Sequence, residues 1–199
     1  MSLLIFVRHG QTDWNRERRL QGQRDIPLNN HGRSQARDNG RAIARWLEAR
    51  GMAAGQLDFV SSPMGRARET MEIVRAGLGL PPKGYRVDDR LKEITFGDWE
   101  GFTLPELMRT QAADVERRER DKWETVPPAG ESYEMLYRRI HPWYGELARP
   151  TLAVAHGGVW RALQVAIEGH SPETTASAAS ADVRQDRFIV VENGRFEWI

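Results

Sequence analysis

The stretch Leu3–Asn15, "LLIFVRHGQTDWN", decides how the rest of the chain is read. Five apolar residues, Leu3 to Val7, run straight into Arg8, His9 and Gly10. A continuous apolar run that ends in a glycine-containing loop reads as a strand buried on both faces, the kind found in parallel sheets. The device returns at Leu152–Gly158, "LAVAHGG", where a second apolar run ends in His156, Gly157 and Gly158. Two such strand ends, far apart in sequence, are expected to meet in space.

Working outward, helices and strands alternate. Arg33–Arg50 has Ala36, Gly40, Ile43 and Leu47 on one face and Gly51 as its stop, which predicts a helix. Gln21–Gly32, "QGQRDIPLNNHG", is polar and punctuated and is expected as loop. "LDFVSS", Leu57–Ser62, is a second strand, and Ser62-Pro63 is expected to cap and start a helix with Ala67, Met71 and Val74 inward. Tyr85–Ile94 holds a short third strand. Thr103–Trp123 and Glu131–Leu147 read as helices, separated by "VPPAGES", Val126–Ser132. Thr151–Ala155 is a strand, followed by a helix over Gly158–Glu168. Ser171–Asp182 is polar and without period, a loop. Phe188–Glu192 and Arg195–Trp198 flank Asn193-Gly194, a hairpin signal. The pattern predicts one α/β domain over 1–199: a three-layer sandwich with a mostly parallel central sheet, helices on both faces and an antiparallel edge. The charged stretch at about 101–148 is expected as a mainly helical insertion covering the active site. In such sheets ligands sit beyond the carboxyl ends of strands, where His9 and His156 lie.

Composition narrows the class. The chain has 199 residues and a net charge of +1, so no bulk field selects nucleic acid or a membrane surface. It has no cysteine, which excludes disulfides and thiolate chemistry. No apolar run nears the ~20 residues needed to span a bilayer. The start of the chain lacks a secretory signal, so a cytoplasmic location is expected. Lysine occurs only at Lys83, Lys92 and Lys122; almost every cation is arginine.

Four elements carry chemistry. Arg8 offers a planar fork of donors suited to phosphate oxygens, and Gly10 permits close backbone approach to a ligand. Thr12 and Asn15 add donors on the same loop, while Trp14 is expected to pack. Arg66, in the first turn after Ser62-Pro63, sits where helix amides and a guanidinium together favour an anion; the alternative is a solvated arginine, and Arg68 and Arg75 are read that way. His156-Gly157-Gly158 lies between strand and helix; its histidine could equally be a metal ligand or a buried structural residue. Arg161 is read as structural. "RLKEITFGDWEG", Arg90–Gly101, supplies Glu93, Asp98 and Glu100. A reaction at phosphate needs a proton donor for the leaving oxygen, and Glu93 is the natural choice; Asp98 and Glu100 are read as turn and surface residues.

"RHGQTDWN", "QGQRDIPLNNHG", "SSPMGRARET", "LKEITFGDWEG" and "AHGG", in this order from Leu3 to about Arg161, resemble the histidine phosphatase superfamily, in the branch that contains cofactor-dependent phosphoglycerate mutases and related small phosphatases. The resemblance implies a phosphohistidine on His9. It implies that Arg8, Arg66 and His156 clamp the phosphoryl oxygens, that Asn15 and the Gly157 amide add hydrogen bonds, and that Gln21 contacts the substrate. Glu93 would be general acid, then general base for water. It also implies no metal and no cofactor. The physics agrees with a nucleophilic imidazole: free histidine has a pKa of about 6.5, and Arg8 and Arg66 would lower it.

The segment after Glu93 reads "EITFGDWEG", with Phe96, Asp98 and Glu100 where the mutases carry a Tyr-Gly pair and basic residues. That favours a metal-independent phosphomonoesterase acting on a small phosphorylated metabolite. Arg117-Arg118 followed by Pro127-Pro128 resembles the mutase arginine pair at poor spacing, which keeps phosphoglycerate mutase-type transfer as the alternative. A non-catalytic phosphate binder would lack one of His9, Glu93 and His156. A mononuclear metal hydrolase using His9, His156 and a carboxylate would lose activity in chelator. No nucleic-acid or membrane partner is expected. Monomer and homodimer both remain open, with Trp99, Trp123 and Trp143 as core or interface residues.

Overall fold

The computed structural model describes residues 3–168 and 183–199. The elements in chain order are β1 (Leu4–Arg8), α1 (Asp13–Arg16), α2 (Asn30–Ala49), β2 (Asp58–Ser61), α3 (Gly65–Gly77), β3 (Arg86–Val87), α4 (Leu104–Thr110), α5 (Ala112–Arg120), α6 (Tyr133–Gly145), β4 (Thr151–Ala155), α7 (Gly157–Glu168), β5 (Phe188–Glu192) and β6 (Arg195–Trp198). The loop expected at Ser171–Asp182 lies outside the described residues.

Six strands form one sheet in the order β3-β2-β4-β1-β5-β6. β1, β4, β2 and β3 pair in parallel, and β5 and β6 close the sheet antiparallel. The apolar strands serve two cores because successive side chains point to opposite faces. Leu4, Phe6, Ala153 and Ala155 pack with Leu136 and Ile140 of α6 and Val159 and Trp160 of α7. Ile5, Val7, Leu152 and Val154 pack with Ile43 and Leu47 of α2 and Met71 and Val74 of α3. The α/β three-layer expectation therefore holds. The hairpin turn also forms as expected: Asn193 and Gly194 take φ of 53° and 73°, the pair of positive values that matches strand twist.

Some boundaries differ, each for a local reason. α2 begins at Asn30, inside the stretch expected as loop, because Asn29 Oδ1 accepts the free Gly32 amide at 2.9 Å. α3 begins at Gly65 rather than at Ser62-Pro63. Its open amides are capped from a distance by Asp25, whose Oδ2 accepts from Gly65 N at 2.8 Å. The helix expected over Thr103–Trp123 breaks at Gln111, whose backbone leaves helical values (φ −140°, ψ 38°). The break lets Leu107 and Val115 close on Trp99, and Gln111 Oε1 accepts from Trp99 Nε1 at 2.7 Å. The stretch 101–148 thus divides. α4 and α5 form a small satellite core with Trp99, whereas α6 lies in the sandwich layer beside α7. Trp99 and Trp143 are core residues, each 1% exposed.

Candidate active site

The ladder delivers the two histidines together. β1 pairs with β4 so that Val7 faces Val154 and Arg8 faces Ala155. The next residue on each strand is His9 and His156, and His9 N still donates to Ala155 O at 3.0 Å. Their ring centroids lie 5.1 Å apart, and both rings are buried. His9 Nδ1–H donates to Gly10 O at 2.8 Å, which leaves Nε2 with its lone pair. Arg66 Nε points at that atom from 3.3 Å. Burial, then Arg66 and Arg8, push the His9 pKa well below the ordinary histidine value, so the imidazole is neutral near pH 7. His156 is shifted the same way, by burial first and then by Arg66 and His9. Its Nε2 is taken by Ser62 Oγ at 2.7 Å, while the buried Nδ1 has no hydrogen-bond partner among the described residues. A buried ring nitrogen in that condition is unusual in native folds.

Arg66 is fixed by backbone carbonyls: Nη1 donates to Arg24 O at 2.7 Å and Nη2 to Gly22 O at 2.8 Å. Burial lowers its pKa to about 10, which keeps it cationic at neutral pH. The expectation that the amides opening α3 would add to an anion site is corrected here, because Asp25 already occupies them. The Gln21 amide belongs to the same cluster. With its oxygen toward Arg66, that oxygen accepts from Nη1 at 3.0 Å and from Nε at 2.6 Å, and its nitrogen meets Thr12 Oγ1.

The loop after β1 is shaped by α1. Thr12 caps α1 and Asn15 returns a bond to the Thr12 amide. Gly10 serves a different contact from the one expected. A Cβ there would stand 2.3 Å from Gly32 O, so the glycine lets the start of α2 press on the nucleophile loop, not a ligand. Arg8 is held through Nη1 by Val183 O.

Glu93 enters from the loop after β3. Its Oε1 accepts from Ile94 N at 3.0 Å and its Oε2 from Gly158 N at 3.2 Å. A Cβ on Gly158 would lie 2.4 Å from Glu93 Oε1, so only glycine admits the carboxylate at this turn. Arg139 of α6 fixes the backbone beneath: it donates to Lys92 O at 2.8 Å and to Glu93 O at 3.1 Å, with Glu131 as its counter-ion.

These groups line one cleft of about 140 Å³, with Arg8, His9, Asn15, Gln21, Arg66, Glu93 and Gly157 on its walls. His156, fully buried, is not among the residues that line the cleft. Arg19, Tyr133 and Arg161 also line the cleft. Arg161 Nη1 donates to Tyr133 OH at 3.3 Å. Two further readings are corrected. The Glu100 side chain is only 7% exposed and accepts from Thr95 Oγ1 at 2.8 Å and from Gln23 N at 2.9 Å, which closes the loop beside the cleft. Arg75 is buried too, its guanidinium 4.3 Å over the Phe59 ring. Sequence reasoning missed Arg139 and Gln185, whose partners lie 46 and 176 residues away. Among the described residues, no three His, Cys, Asp or Glu gather as a metal-ligating group. No described helix is long and apolar enough to cross a membrane.

Comparison with known proteins gives the family. The family model "Histidine phosphatase superfamily (branch 1)" matches residues 4–192, and the chain belongs to that superfamily. The chain is 34% identical over 186 residues to an uncharacterized phosphatase, PhoE, of Bacillus subtilis, covering 87% of this chain and 81% of that protein. It is 31% identical over 182 residues to a 2,3-bisphosphoglycerate-dependent phosphoglycerate mutase of Beijerinckia indica, covering 88% and 85%. Among solved structures, a mycobacterial glucosyl-3-phosphoglycerate phosphatase, in complex with VO3, superposes with a TM-score of 0.77 at 31% identity over 100% of this chain and 98% of that one. Bacillus stearothermophilus YhfR superposes with a TM-score of 0.80 at 30% identity, over 100% and 95%.

Proposed function

We propose that this chain is a phosphomonoesterase that hydrolyses a small phosphorylated metabolite through a phosphohistidine on His9. The observation that carries the reading is the His9 ring: neutral, its Nδ1–H bonded to Gly10 O, its Nε2 lone pair beside Arg66 in a cleft walled by cations. In the first step Nε2 bonds to phosphorus, the ester P–O bond breaks, and Glu93 protonates the leaving oxygen. In the second, water gives a proton to Glu93 and attacks phosphorus, the N–P bond breaks, and orthophosphate leaves. Arg8, Arg66, Asn15, the Gly157 amide and His156 Nδ1 hold the equatorial oxygens, the charge stabilisation on which phosphoryl transfer depends. Gln21 braces Arg66 at the substrate's side. The reading needs no metal.

Mutase-type transfer is the second reading, favoured by the names of curated relatives such as that of Beijerinckia indica. Two observations support hydrolysis over it. Arg117 and Arg118, the pair that resembles the mutase arginines, face apart: Arg117 is exposed and paired with Asp114, and Arg118 is buried over the Phe96 ring. A phosphatase also superposes on the whole chain. The test is phosphate release from a panel of monoesters, 3-phosphoglycerate included, in EDTA, for wild type and His9→Ala. Release that persists in chelator and requires His9 is the expected result. Interconversion of phosphoglycerates without release would make the chain a mutase, and loss in chelator would make it a metal hydrolase.

A further inference from the structure

Three residues of the cleft are held by a short segment that none of the sequence motifs reaches. Val183 O accepts from Arg8 Nη1. Two residues on, Gln185 Nε2 donates to His9 O at 2.9 Å and to Asn15 Oδ1 at 3.0 Å. The segment is itself anchored, since Asn39, buried in α2, donates from Nδ2 to Gln185 O at 2.9 Å.

We propose that Gln185 is a positioning residue that sets which end of the Asn15 amide meets the phosphoryl group. A carboxamide oxygen has two lone pairs, and its nitrogen two N–H donors. Asn15 Oδ1 already receives two donors, Thr12 N at 3.2 Å and Gln185 Nε2. With its oxygen so engaged, Asn15 presents Nδ2 to the cleft it lines. An N–H there attracts phosphoryl oxygens, whereas a carbonyl there repels them. The same Gln185 nitrogen also donates to His9 O, which fixes the Gln185 amide with its nitrogen, not its oxygen, toward Asn15. Rotating Asn15 by a half-turn would set its Nδ2 against Gln185 Nε2 and the Thr12 amide, donor against donor. The inference rests on the reading of the cleft as a phosphoryl site.

The test compares wild type, Gln185→Met (same reach, no donor), Gln185→Glu (same shape, acceptor only when ionised), Asn15→Ala, and Asn15→Ala combined with Gln185→Met. Orthophosphate affinity is measured by calorimetry, and kcat and KM on p-nitrophenyl phosphate, with thermal melts to confirm folding. Gln185→Met is expected to weaken orthophosphate binding and lower kcat/KM about tenfold, and Gln185→Glu more. In the Asn15→Ala background the Met substitution is expected to cost less than about twofold, because the residue acts through Asn15. Full multiplication of the two losses, or a folded Gln185→Met or Gln185→Glu that binds orthophosphate like wild type, overturns the proposal and leaves the phosphatase reading standing. Wild type that neither binds orthophosphate nor releases it overturns both.

Discussion

Arg66 Nε points at His9 Nε2 from 3.3 Å, while the rest of its guanidinium is tied to the carbonyls of Gly22 and Arg24. A cation fixed in this way does two things. After burial itself, it helps keep the imidazole unprotonated, and on the proposed reading it donates to the phosphoryl oxygens of the substrate.

His9→Ala is expected to abolish turnover, by about a thousandfold or more, since the covalent route is lost. The ring's protein partners are few, Gly10 O and Arg66 Nε, so the melting temperature should move little. Acid quench of wild type with labelled ester should trap an acid-labile phosphoenzyme that the variant lacks. Wild-type turnover in His9→Ala would end the phosphohistidine mechanism.

The depressed pKa values of His9 and His156 set the response to acid. In the unfolded chain these histidines take up protons near pH 6.5, whereas in the fold they do so only at lower pH. The unfolded state therefore binds more protons in that window, and stability falls as pH drops from about 6.5 toward the folded values. The limiting slope is about 1.4 kcal/mol per pH unit for each histidine. Urea midpoints between pH 7.5 and 5 should show the decline, and His156→Asn should flatten it. The acid limb of kcat/KM should likewise lie below the ordinary histidine range. A midpoint constant across this window would contradict the assignment of buried neutral rings.

Glu93→Gln should separate substrates by leaving group. An alkoxide needs its proton and a nitrophenolate does not, so the loss should reach about 10²–10⁴ on alkyl phosphates and stay small on p-nitrophenyl phosphate. Equal losses on both would remove Glu93 from the acid's role.

Gly158→Ala should imitate that defect without removing the carboxylate. The new methyl would stand 2.4 Å from Glu93 Oε1, and the flexible side chain rather than the backbone would give way. Activity on alkyl esters should fall by about tenfold or more, with little further loss when Glu93→Gln is added. Losses that multiply in the double variant would show that the glycine serves something other than Glu93.

What the sequence makes legible is local or repetitive. Strands buried on both faces need unbroken apolar runs, so β1 and β4 and the histidines at their ends stand out in "LLIFVRHG" and "LAVAHGG". Asn193-Gly194 is legible because few residues tolerate two positive φ values in succession. What stays hidden is side chains that act across distance. Asp25 capping α3, Arg139 gripping the Glu93 loop and Gln185 bracing Asn15 look in sequence like any surface polar residue. The break at Gln111 leaves no trace either. Leu107 and Val115 are eight residues apart, a spacing that an unbroken helix would also place on one face.

Because β1 is apolar on both faces, no alternation of polar and apolar residues tells it where to sit on β4. Size does so instead. Phe6 is paired with Ala153, and Trp160 lies 5.3 Å from the Phe6 ring, so a large residue is matched to a small one. A slip of one residue would set Phe6 beside Leu152 or Val154, turn every side chain to the opposite core, and carry His9 about 3.3 Å along the strand from His156. The pairing of Phe6 with Ala153, three residues before each histidine, thus helps to index the distance between the two imidazoles.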